Sequence, residues 1–111
     1  MHLELFGRGF AVVIPARIGV RGATCRADLW TNDPTGVVHF DGAATLADLF
    51  RIWGEPLTPE RLLSFHGRVS LFLNGIRVRG DPRSLRLRDG DEIVLESGGY
   101  VPPHRGYVFP P

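Results

Sequence analysis

An α+β fold, with a mixed sheet resting on one main helix, is what the sequence predicts, and three observations lead to it. Strand-like alternation lies at both ends of the chain, one capped amphipathic helix lies between, and an Asn-Gly pair marks a hairpin after the helix. The 111 residues suit one compact domain. With 43% hydrophobic and 23% charged residues, global disorder is excluded. The expected division is a globular domain over 1–99 and a tail rich in proline and aromatics over 100–111.

Residues 2–6 alternate, with Leu3 and Leu5 on one face and His2, Glu4 and Phe6 on the other. The Gly7-Arg8-Gly9 turn and the apolar run 10–14 complete an N-terminal hairpin, which Pro15 closes because it lacks a backbone donor. A loop is expected over 16–22 and a weakly alternating strand over 23–30. Residues 31–36 are dense in turn formers, and 37–40 read as a buried strand.

The helix begins at Thr45, whose hydroxyl caps it while Asp48, three residues on, returns a bond to the cap. Leu46, Leu49, Phe50 and Trp53 make its apolar face, and Gly54 stops it. A second, shorter helix is expected over 59–65, with Thr58 as cap and Pro59 at the first helical position.

The last third reads as strand. Val69, Leu71 and Leu73 alternate, Asn74-Gly75 turns, and Ile76 and Val78 alternate with arginines on the return. A final strand runs through Ile93, Val94 and Leu95, and the tail is expected to be extended. Strands at both ends around a central helix make the sheet β-grasp-like. The alternative is a small all-β barrel or sandwich with the helix as a plug.

Several strings in this order are also similar to motifs of a small prokaryotic domain family, often found behind a membrane anchor. They are Ile14-Pro15-Ala16-Arg17-Ile18-Gly19, Trp30-Thr31-Asn32-Asp33-Pro34-Thr35-Gly36-Val37-Val38-His39, and the helix from Thr45 through Trp53-Gly54-Glu55-Pro56-Leu57. Leu73-Asn74-Gly75, Gly80-Asp81-Pro82-Arg83 and the tail's Tyr107 and Phe109-Pro110 complete the set. The family reads IPA-x-IG, HTHD-x-(S/T)-G-x-x-H, TLG-x-FF-x-x-WGQPL, NG and GDPR. The resemblance spans nearly the whole chain and implies a fold more than an activity. His2 and His39 match family histidines, but Trp30-Thr31-Asn32-Asp33 stands where the family has His-Thr-His-Asp.

Charge narrows the function classes. Thirteen basic residues, all arginine, against 12 acidic ones give a net +1, which makes no electrostatic case for nucleic acid or an anionic membrane. The single cysteine, Cys25, excludes an internal disulfide and a cysteine-based zinc site, and reads as a small core residue. No apolar run is long enough to span a bilayer, and the start lacks a signal-peptide core, so no compartment is assigned.

The chemical candidates are few. His2, Asp33 and His39 form a weak transition-metal set, short of the strong donors such a site wants. The plainer reading has Asp33 capping its own turn and His39 as a buried strand histidine with a hydrogen-bonded ring, with no metal or other cofactor bound. Arg77, Arg79, Arg83, Arg86 and Arg88 form a stripe, interleaved with acids and read as a solvated face. Residues 89–95 with Gly98-Gly99 resemble the end of a sulfur-carrier β-grasp protein, but that chemistry needs a terminal diglycine and 12 residues follow Gly99. No nucleophile elbow or phosphate loop is present. The expectation is a non-enzymatic accessory or interaction domain, a small subunit of a larger assembly with a protein partner. Trp30, Asn32, Tyr100, Tyr107 and Phe109 are its contact candidates. The alternative is a transition-metal-binding domain whose histidine site is partly lost.

Overall fold

A computed structural model describes residues 1–20 and 28–98. The hairpin expected first is there: β1 (His2–Gly7) pairs antiparallel with β2 (Phe10–Val12). Strands β3 (Leu29–Trp30) and β4 (His39–Phe40) form a small separate ladder. Helix α1 (Leu46–Trp53) follows, with the reciprocal Thr45–Asp48 capping box and Gly54 as a left-handed C-cap. Its buried residues are Leu46, Leu49 and Phe50; Trp53 is only half-buried, tilted against Phe50 at the helix's last turn.

The second helix is not formed. Residues 57–66 fold instead into three two-residue strands, β5 (Leu57–Thr58), β6 (Arg61–Leu62) and β7 (Phe65–His66), paired antiparallel. Thr58 Oγ1 accepts from the Glu60 amide across a tight turn in which Pro59 sits. Leu63 takes a positive φ of 55°, outside the helical region. Alternate burial of Leu57 and Leu62 in the core outweighs the local cap signal.

The second hairpin joins β8 (Val69–Leu73) to β9 (Ile76–Val78), and the last strand is β10 (Glu92–Ser97). Asn74 and Gly75 both have positive φ, 52° and 82°, as the primed hairpin turn requires. The main sheet has the order β2-β1-β10-β8-β9, with β1 and β10 parallel at its centre and a hairpin on either side. This is a mixed α+β arrangement, compatible with the β-grasp-like reading, and the sheet does not close into a barrel.

One face of that sheet carries Leu3, Leu5, Ile93, Leu95, Val69 and Leu71, all in a single core with the α1 residues. The opposite face carries His2, Glu4 and Phe6 of β1 beside Glu92, Val94 and Glu96 of β10. His2, Glu92, Val94 and Glu96 are buried there too. Among the described residues no helix is long and apolar enough to cross a membrane. The 100–111 tail, most of the 23–30 strand and Cys25 lie outside the described residues.

Candidate functional site

Among the described residues, a polar cluster at the start of β1 and a recess beside Trp30 bear most directly on the site residues expected from sequence. The cluster is built by register. Parallel pairing sets His2 beside Glu92, and the two-residue period of β1 puts Glu4 on the same face. His2 Nδ1 lies 2.7 Å from Glu92 Oε2, and both side chains are buried. The other ring nitrogen, Nε2, donates to the Thr35 carbonyl at 2.9 Å.

That second bond depends on a close approach of backbone. The Leu3 amide donates to the Gly36 carbonyl, and Val38 N–H to that of Met1, so the 35–38 segment lies along the start of β1. Gly36 has a φ of 83°, and a Cβ there would sit 2.4 Å from the Leu3 carbonyl oxygen. Only glycine fits. Its fit brings the Thr35 carbonyl onto the His2 ring.

A carbonyl only accepts, so Nε2 donates in that bond, and Nδ1 is the ring nitrogen turned to Glu92. His2, Glu4 and Glu92 each offer a ligand atom, and these atoms all lie within 4.8 Å of one another. They are the only such metal-capable group of three or more among the described residues.

The recess is open, about 490 Å³ in volume, and lies between Met1, Trp30, Val37, His39 and Phe40 on one side and Asp89-Gly90 on the other. The Trp30 and His39 rings stack with centroids 5.6 Å apart and planes 22° from parallel, as the β3–β4 pairing of these two residues dictates. Thr31, fully buried, anchors this corner by donating to the Pro15 carbonyl and accepting from the Ile18 amide.

No protein-family model matches the chain, and neither a curated protein nor a solved structure proves similar to it. The family resemblance therefore rests on its motifs alone.

The candidates from sequence separate in space. His2 joins Glu4 and Glu92, not Asp33 and His39, which belong to the turn and the Trp30 stack. Asp33 accepts from both the hydroxyl and the amide of Thr35, and the hydroxyl bond above all holds its carboxyl below the usual range. It caps its own turn. Asn32 is exposed on the same turn, next to half-buried Trp30, while Tyr100, Tyr107 and Phe109 lie outside the described residues.

Of the arginine stripe, Arg83 is bidentate to Asp81, at 2.6 to 3.0 Å, which lowers the Asp81 carboxyl and raises Arg83. A second recess, about 480 Å³, mixes Arg79, Arg86 and Arg88 with Asp81 and Asp91. Such mixed charge makes a solvated face. Sequence reasoning missed Glu4 and Glu92. The i, i+2 spacing of His2 and Glu4 on one strand was the available signal; Glu92 joins them through a strand pairing 90 residues away.

Proposed function

We propose that this domain is a non-enzymatic interaction module, the small subunit of a larger protein assembly, which meets its partner at the Trp30 recess. The observation that supports this reading is the stacked Trp30–His39 pair walling an open, largely apolar hollow beside the exposed Asn32 turn. An amphipathic indole stacked on a histidine and lining a hollow is the kind of anchor that protein interfaces enrich. A rigid corner held by Thr31 presents it at little entropic cost.

A photo-reactive amino acid at Asn32, in the full chain in its native cells, tests the reading. One protein is expected to cross-link, and to be lost when Trp30→Ala is added to a chain that keeps its circular dichroism. Cross-linking that survives Trp30→Ala, or none from the folded protein, refutes the recess as the contact.

A further inference from the structure

We propose that His2, Glu4 and Glu92 form a binding site for one divalent transition cation of the zinc class. The site lies on the polar face of the main sheet and involves none of the recess residues whose partner contact is proposed above, so either proposal stands or falls alone.

Three features of the cluster point to a cation. The first is the donor set: one imidazole nitrogen and two carboxylates, within 4.8 Å of one another and carried by two paired strands. Bonds of about 2.1 Å at tetrahedral angles put donors about 3.4 Å apart, so modest carboxylate rotations close the group on an ion. Rigid strands fix the backbones from which those side chains reach.

The second feature is the ring's orientation. Metal-bound imidazoles as a rule donate their other N–H to a carbonyl or carboxylate, which fixes tautomer and plane. Here the Thr35 carbonyl holds Nε2–H at 2.9 Å and turns Nδ1 toward the carboxylates.

The third is Glu4. Its Oε2 is shielded from solvent and has no hydrogen-bond partner among the described residues. A carboxylate oxygen taken from water without a donor is costly, and a cation is what compensates it.

A divalent ion on a neutral imidazole and two carboxylates sums to zero charge. On binding, the ion takes the Nδ1 lone pair, and any proton held there passes to solvent. Three protein donors leave a fourth position for water.

Tag-free full-length protein, stripped with a chelator, is titrated with zinc chloride at pH 7.5 by calorimetry and followed by histidine ring NMR. One ion per chain is expected, with the His2 ring resonances shifting and those of the other histidines unmoved. Glu4→Gln, which keeps the size and removes the charge, is expected to weaken binding at least tenfold while the fold, judged by its amide spectrum, persists. Absence of saturable binding overturns the proposal. So does binding that shifts another histidine instead of His2, or that Glu4→Gln leaves unchanged.

Discussion

The two faces of the central sheet are built from the same strands in alternation, yet they hold together by different physics. Toward α1 the face is leucine, isoleucine and valine, and its burial is non-directional: any close-packed apolar neighbour serves. Toward the other side, His2, Glu92 and Glu96 are buried with charge-bearing groups, which need a partner at a defined distance and angle. The first face therefore tolerates repacking and suffers from lost volume. The second tolerates lost volume and suffers from lost pairing. Mutations on each face test that contrast.

The largest effect is expected on the apolar face. Phe50→Ala empties the space of a ring that is 2% exposed at the centre of the core, and about 3–5 kcal/mol of stability is expected to go with it. Denaturant unfolding measures it; a loss under about 1 kcal/mol would mean the helix is not seated on this core. On the polar face, Glu92→Leu leaves His2 buried beside an apolar side chain, and a loss of about 3 kcal/mol is expected. The double variant His2→Leu/Glu92→Leu removes both hydrogen-bonded partners together. It is expected to recover most of that loss, because replacing a whole buried pair with packed apolar groups is near neutral. Equal losses in single and double variants would show that volume, not pairing, governs this face as well.

The same contrast explains which features are legible in sequence. The alternation of Leu3 and Leu5, the α1 stripe and the Asn74-Gly75 turn are local patterns, and they position the helix, the hairpins and the apolar face. The 57–66 segment misleads because its helix signal, Thr58-Pro59, is local while its outcome is decided by Leu57 and Leu62 reaching the core as strand residues. The polar cluster is half legible. His2 stands out, but its company depends on the parallel β1–β10 register, which no short window of sequence contains. Asp33 and His39, close to each other in sequence, are the tempting partners, and local hydrogen bonding and ring stacking claim them instead.

A smaller effect is expected where backbone conformation, not burial, is at stake. Gly75 lies in the left-handed region with open space where a Cβ would stand, so Gly75→Val meets no neighbour and strains only its own backbone. A β-branched residue held at φ near 82° is expected to cost about 1–3 kcal/mol, read as a lowered thermal midpoint. Gly75→Asn, a residue that accepts this region, is expected to restore most of it. If valine and asparagine behave alike, the turn is not the primed type.

The smallest effect belongs to the α1 cap, which sits at the rim of the apolar face and is half-exposed. Asp48 Oδ2 accepts from the Thr45 amide at 3.0 Å while Thr45 Oγ1 accepts from the Asp48 amide at 3.3 Å. The bond from the Thr45 amide, more than the nearby Arg51, holds the Asp48 carboxyl below its ordinary range. A carboxyl whose pKa is lower folded than unfolded contributes stability that is complete above the unfolded value. That contribution drains away as pH falls through the folded one. Asp48→Ala is therefore expected to cost about 1 kcal/mol at neutral pH, the usual size of a lost cap interaction. The gap between parent and variant is expected to narrow as acid protonates Asp48 in the parent, leaving the threonine half of the box in both. Asp48→Asn, which keeps an acceptor but cannot titrate, is expected to fall between them at neutral pH and to show the flattest dependence. Denaturation midpoints of the three chains from pH 7 down into the carboxylate range decide it: a parent–alanine gap that holds constant or widens in acid would place the stabilisation elsewhere than in the ionised Asp48 carboxylate.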